Sequence, residues 1–148
     1  MIALIQRVSE ASVRVDGRVI GAIGPGLLAL LGVQRGDGPA QAARVLQRLL
    51  DYRVFADEGG RMNRSLRDTG GGLLLVPQFT LAADTRSGNR PGFSTAAEPT
   101  AAEALFSQFL AEARTAHKPV ESGEFGAHMA VQLVNDGPVT FWLEVPPA

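Results

Sequence analysis

An α+β domain, with a mainly antiparallel sheet and two packed helices, is the fold class this sequence predicts. Three observations carry the reading. Ala11, Val13 and Val15 alternate with Ser12 and Arg14, the period of a half-buried strand. Two apolar stripes at helical spacing each follow a proline, Pro39 and Pro99. Asp16-Gly17 and Asp136-Gly137 both lie between apolar runs, a hairpin signal. The chain has 148 residues and no repeat, linker or low-complexity stretch, which fits one domain, 1–148, around one core.

Taken in order, residues 2–15 read as a strand. Its alternation is out of phase with Ile2 and Leu4, which points to a bulge near Ser9. Asp16-Gly17 turns the chain into a second strand, Val19 to Ile23, and Gly24-Pro25-Gly26 is expected to turn it again. Leu27 to Val33 is almost wholly apolar, as in a central strand covered on both faces. Pro39 opens a helix with Ala42, Val45, Leu46, Leu49 and Leu50 along one side. Asp57 to Gly60 reads as a turn, and Gly70 to Gly72 as a break before a strand from Leu73 to Phe79. Residues 82–98 lack periodicity and read as a long loop, a length that in compact domains is often functional. Pro99 opens a second helix with Ala102, Leu105, Phe106, Phe109, Leu110 and Ala113 on one side. A closing hairpin, Met129–Val134 with Val139–Val145, is expected around Asp136-Gly137.

Composition removes several functions. Net charge is −1, so no broad basic face exists for long nucleic acid, DNA included; a local patch that reads a short piece of RNA stays open. Cysteine is absent, which excludes disulfides, thiol nucleophiles and thiolate metal sites. No apolar run reaches the roughly 18 residues that span a bilayer, and no leader pattern opens the chain. The cytoplasm is the simplest expectation. Gly24-Pro25-Gly26 imitates a dinucleotide fingerprint but enters a strand and not a helix. P-loop lysine and nucleophile-elbow motifs are missing. His117 and His128 are the only histidines, and each reads as a surface or packing residue, so no metal site is expected.

Two segments stand out. In Asn135-Asp136-Gly137-Pro138-Val139-Thr140, a proline follows the turn signal, where it cannot donate to a ladder. The Gly-Pro bond admits cis at a cost of only about 0.5–1 kcal/mol. The segment is then either an ordinary hairpin turn or a rigid wall of backbone carbonyls that senses the shape of a small group. Pro77-Gln78-Phe79-Thr80-Leu81 ends an apolar strand and opens the long loop, where a polar group can be held firmly and still be reached.

Taken together, Gln-Phe-Thr-Leu at 78–81 and Asn-x-Gly-Pro-Val-Thr at 135–140 resemble the two signature motifs of the D-aminoacyl-tRNA deacylase family. Matching flanks run the length of the chain, among them Ile5-Gln6-Arg7-Val8, Leu30-Leu31-Gly32-Val33, Arg90-Pro91 and Thr140-Phe141-Trp142-Leu143. The resemblance implies a barrel-like sheet, a homodimer and hydrolysis, without cofactor, of the ester joining a D-amino acid to the 3′ end of tRNA. It implies that Gln78, Phe79 and Thr80 form the catalytic segment. It implies a cis Gly137-Pro138 reaching into the partner's pocket to reject L-residues, with glycyl-tRNA escaping rejection. Arg7 is expected to buttress that segment and Asn135 to fix its turn. Phe125 and Met129 are candidates for the pocket lining, with core packing as the alternative, and Arg86 and Arg90 in the long loop are candidates for phosphate binding, with an exposed loop that contacts nothing as the alternative. Thr80 is open between nucleophile and positioning group, the latter favoured because no base stands beside it. One departure is Pro77, where the family usually has serine; this removes a hydroxyl and an N–H together. An esterase for another activated ester, a dimeric binding module for a D- or achiral ligand, and a structural homodimer are the competing readings.

Overall fold

A computed structural model describes residues 1–148. The spine of the sheet is β1 (Ile2–Val15). At its end Asp16 and Gly17 both take positive φ, 50° and 77°, the backbone of a tight hairpin turn. The chain returns as β2 (Arg18–Ile23) and β3 (Gly26–Gly32), both antiparallel to β1. β2 pairs with Ala11–Val15, and β3 with Ile2–Val8. Gly24-Pro25-Gly26 is therefore a corner and not the reversal its composition suggested: the chain keeps β1 as its partner on both sides of it.

Two glycines show how tightly the corner is folded. A Cβ on Gly26 would stand 1.9 Å from the carbonyl oxygen of Gly72, where β3 meets β6 (Gly72–Pro77) backbone to backbone. A Cβ on Gly21 would stand 2.9 Å from the Ser122 carbonyl, which brings β2 against β7 (Val120–Ser122) and curls the sheet toward a barrel. The strand order is β2-β1-β3-β6-β7, with β8 (Ala130–Glu144) on the other side of β1. β1–β2, β1–β3 and β1–β8 are antiparallel, whereas β3–β6 and β6–β7 are parallel, so the sheet is mixed with antiparallel pairing in the majority. Parallel neighbours need long crossovers, and these carry the two principal helices.

α1 (Pro39–Asp51) buries Ala42, Val45, Leu46, Leu49 and Leu50, the stripe its spacing predicts. A short α2 (Leu66–Thr69), absent from the expected elements, is closed by a reciprocal cap: Asp68 N donates to the Ser65 hydroxyl at 3.1 Å, and Ser65 N donates to the Asp68 carboxylate at 2.9 Å. α3 (Pro99–Ala116) buries Ala102, Leu105, Phe106, Phe109 and Ala113. Around the Asp57–Gly60 turn, β4 (Phe55–Ala56) pairs with β5 (Met62–Arg64). Helix residues pack with Ala3, Ile5, Leu27, Leu31, Leu73 and Leu75 on one face of the sheet. Val8, Ala11, Val13, Ile23, Leu28, Leu74 and Val76 form a smaller core on the other. Burial on both faces explains why β3 and β6 read as unbroken apolar runs.

The closing hairpin does not form. β8 is one strand, antiparallel to β1 along both halves, from Ile2↔Glu144 to Arg14↔Ala130. Val8 faces Asn135 and Glu10 faces Val134, so Ser9 is the extra residue of a bulge. Between Gln6↔Thr140 and Val8↔Asn135 the excess lies on β8, and Asp136 to Val139 loop out of the ladder. Asp136-Gly137 thus opens a protrusion inside a strand. No helix is long and apolar enough to cross a membrane.

Gly26→Ala is expected to lower stability by about 3 kcal/mol, the upper end of overpacking costs. The urea midpoint measures it; a midpoint unchanged from wild type would contradict the backbone contact with Gly72.

Candidate active site

The strand end at Pro77 sets up the first part of the site. Gln78 N donates to Leu31 O at 2.7 Å, tying the chain to β3 for one more residue. Alternation then points the Pro77 nitrogen away from β3, past the last residues of β7, so the proline forfeits no ladder bond. Its ring lies against the Gly123 backbone, with Cδ 3.5 Å from where a Cβ on Gly123 would stand. β6 stops there, two residues before the expected Phe79, because Phe79–Ala82 winds into a 3-10 turn. Leu81 N donates to Gln78 O and Ala83 N to Thr80 O, each at 3.2 Å. The N–H groups of Phe79 and Thr80 meet no acceptor in the protein, as befits the first residues of a helical turn. The Gln78 side-chain amide donates to the Thr80 hydroxyl. That hydroxyl makes no other hydrogen bond within the protein, and no histidine or carboxylate bonds to it. Phe79 is 57% exposed and leans on Phe93, with ring centroids 5.2 Å apart.

Two cavities flank this turn. One, of about 420 Å³, is walled by Pro77, Gln78, Phe79, Phe125, His128 and Met129, with Ala97, Pro99 and Ala102 closing it from the start of α3. Phe125 is braced by Phe106 of α3 at 6.4 Å. Small apolar residues carry no sequence signal of such a role, so the α3 wall was not foreseen; neither was Phe93. His128, expected to be a surface or packing residue, stands in this wall. The other cavity, of about 540 Å³, takes in Thr80, Asp84, Arg86, Trp142 and Glu144. Trp142 is 52% exposed, and its indole N–H donates to Glu144 Oε1 at 3.2 Å. His117 lies away from both, its Nε2 2.7 Å from Gly71 O. No cluster of three metal-ligating side chains occurs.

The second signature segment is built just as firmly. Gly137-Pro138 is cis, and Gly137 has φ of 140°. A side chain at Gly137 would meet Val139 Cγ2 at 2.6 Å and Val139 N at 2.9 Å, so only glycine fits. Asn135 clamps the protrusion from within: its Oδ1 accepts from Val139 N at 2.7 Å, and its Nδ2 donates to Thr140 Oγ1 at 2.8 Å. Arg7 clamps it from β1. Its Nε donates to Asp136 O at 3.0 Å and its Nη1 to Val54 O at 2.7 Å. Thus Arg7, Asn135, Gly137 and Pro138 come together, and Gln78, Phe79, Phe125 and Met129 come together, but the two groups stand apart. β8 flanks β1 on the side opposite β3, so β1 and β3 lie between the protrusion and the end of β6. Neither cavity is lined by Gly137 or Pro138.

Arg86 and Arg90 are both exposed on the loop after the 3-10 turn. Arg86 is oriented by a two-point bond to Asp84, Nε to Oδ1 at 2.9 Å and Nη2 to Oδ2 at 2.8 Å. The side-chain hydrogen bonds from Arg86, followed by the one from its backbone N–H, hold the Asp84 carboxyl far below the usual carboxylate range. A depressed folded-state value means the pair is intact above the unfolded aspartate pKa of about 3.9 and is lost only as pH falls through the lower folded value. The Arg86 side-chain NMR signal is therefore expected to stay in place from pH 8 to pH 4. Movement midway through that range would show the pair to be loose.

A family model described as D-Tyr-tRNA(Tyr) deacylase matches residues 4–144. The D-aminoacyl-tRNA deacylase of Thioalkalivibrio sulfidiphilus is 71% identical over 147 residues, covering 99% of each chain. That of Xanthomonas euvesicatoria is 67% identical over 144 residues, 97% of this chain and 99% of its own. Among solved structures, one titled c-Myc DNA Unwinding Element Binding Protein superposes with a TM-score of 0.94 at 40% identity, covering 99% of both chains. A probable eukaryotic D-amino acid tRNA deacylase gives 0.82 at 17% identity over 97% of this chain and 98% of its own, which shows the shared fold. The chain belongs to the D-Tyr-tRNA(Tyr) deacylase family and is a hydrolase acting on the ester bond of aminoacyl-tRNA.

Proposed function

We propose that this protein works in the cytoplasm as a homodimer that hydrolyses D-aminoacyl-tRNA, and glycyl-tRNA with it. In this reading the Gly137-Pro138 segment of each subunit completes the pocket of the other. The observation that carries it is the separation just described. Each motif is rigidly built, yet within one chain neither reaches the other, so a second copy is what unites them. β8 supports this as a long strand with a single neighbour, β1. It also exposes Val134 and Trp142, surface that a partner would cover.

The 3′ end of the tRNA enters beside Phe79, Phe125 and Met129, whose apolar faces suit a nucleobase. Arg86 and Arg90 meet phosphates nearby. The ester carbonyl comes to the free N–H groups of Phe79 and Thr80, which hold the oxyanion as water attacks. The carbon–oxygen bond to the ribose then breaks, and the neighbouring 2′-hydroxyl assists proton transfer to the leaving oxygen. An aminoacyl ester is already activated, so no strong side-chain base is required. Thr80 is a positioning group, because its oxygen accepts from Gln78 and nothing is placed to take its proton. The carbonyl oxygens of Gly137 and Pro138 form the chiral filter. A D-residue turns hydrogen toward them, whereas an L-residue would drive its Cβ into them. Glycine has hydrogen on both sides and passes. Arg7 and Asn135 keep the wall from yielding.

Thr80→Ala is expected to keep a substantial part of kcat; a fall of about 10⁴-fold would indicate covalent catalysis instead. The whole reading is tested by turnover of D-tyrosyl-, L-tyrosyl- and glycyl-tRNA beside a free D-amino-acid ester. Cleavage of the D- and glycyl-tRNAs with sparing of the L-form is expected. Resistance of glycyl-tRNA would rule out a purely steric filter, equal cleavage of the free ester would favour a general esterase, and no turnover at all would favour a binding module.

A further inference from the structure

The cavity walled by Phe125 and Met129 is poor in polar side chains. Gln78 and His128 supply the long ones, and the rest of its lining is apolar side chain or glycine. The Gln78 amide already donates to Thr80. His128 is exposed and makes no hydrogen bond within the protein. It sits at the end of a turn built to hold that position. Gly126 takes φ of 80°, Ala127 N donates to Glu124 O at 3.3 Å, and Glu124 N donates to the Met129 sulfur at 3.4 Å. The carboxylates borne by the surrounding elements, Glu98 and Glu103 on the α3 side and Glu124 in the turn, are exposed and take no part in the lining. His128 is therefore the only ionisable side chain in the cavity wall.

A nucleotide ring that leaves water for an apolar slot must replace the hydrogen bonds it loses. We infer that His128 is a substrate-binding residue whose imidazole makes a hydrogen bond to the terminal nucleotide of the aminoacyl-tRNA at the cavity mouth. The inference rests on the reading of this cavity as the seat of that nucleotide. It assigns the histidine to binding and not to chemistry, since water attack at the ester is served by the free N–H groups of Phe79 and Thr80 on the neighbouring turn. A neutral imidazole carries one donor and one acceptor, so an amide side chain can stand in for it.

The test is steady-state kinetics on D-tyrosyl-tRNA with His128→Ala, His128→Gln, His128→Asn and Phe125→Leu, each checked for a wild-type thermal midpoint. We expect His128→Ala to raise KM about tenfold, the worth of one hydrogen bond, with kcat unchanged. At least one amide variant should restore most of the loss. Phe125→Leu should raise KM as well. If Phe125→Leu raises KM and His128→Ala does not, the cavity holds the nucleotide and the assignment of His128 is overturned. If neither raises it, the nucleotide binds elsewhere and both readings fall. A loss confined to kcat, or one that neither amide relieves, would also overturn the binding role.

Discussion

One residue of β1, Arg7, against four of β8, Asp136 to Val139, is the mismatch on which the second motif depends. From Gln6 to Val8 the spine advances two residues, while its partner must travel five, from Thr140 back to Asn135. Pairing resumes on both sides, so the surplus cannot slide along the ladder; a shift of register would turn every buried side chain outward. Asp136 to Val139 are forced out as a protrusion and fixed there by Arg7 from below and Asn135 from within. The Arg7–Asp136 carboxylate contact, 3.4 Å and exposed at the acid, adds little to this. The hydrogen bonds from a planar guanidinium to two backbone carbonyls are what set the angle. A conformation only glycine can adopt at residue 137 becomes a permanent feature because the strand on either side of it cannot move.

In the proposed mechanism, the chemistry at the other motif is likewise a property of the backbone. A parallel strand ends, the chain winds at once into a single 3-10 turn, and two N–H groups are left facing outward with nothing to bond. An unpaired pair of donors is tolerable at a surface and useful where negative charge develops on an ester oxygen. The same economy explains why composition looked so barren. An enzyme that cleaves an activated ester can dispense with cysteine, metal and a histidine–carboxylate pair, provided it places its substrate well. It also explains how Pro77 is accommodated. The strand end needs a carbonyl and a direction at that residue, and the N–H that proline lacks would have faced no partner strand.

The helices were legible because their burial is one-sided. The stripes behind Pro39 and Pro99 match the buried positions of α1 and α3 almost residue for residue, Leu110 excepted as partly buried. The bulge at Ser9 was legible for a similar reason, as a change of phase in the alternation. Turn signals were less informative, and the two Asp-Gly pairs show why. Asp16-Gly17 takes positive φ at both residues and reverses the chain. Asp136-Gly137 does not, since Gly137 alone is positive and the flanking segments pair with β1 and not with each other. The dipeptide is identical; what differs is the presence of a third strand, which no local window contains. The corner at Gly24-Pro25-Gly26 was misread for the same reason. The parallel pairs were hidden because a strand buried on both faces has no alternation to read. The wall contributed by Ala97, Pro99 and Ala102, and the seat of His128, arise from tertiary packing of residues that look ordinary in sequence.

The claim that unites these parts is that a rigid stretch of main chain on β8 is brought against the turn after β6 by a second copy of the chain. A crystal structure with a non-hydrolysable D-aminoacyl adenosine addresses it most directly. We expect the ligand's ester carbonyl at the N–H groups of Phe79 and Thr80, and its Cα hydrogen facing the Gly137 and Pro138 carbonyl oxygens supplied by the neighbouring subunit. A ligand held wholly within one chain, with that protrusion left in solvent, would contradict the account.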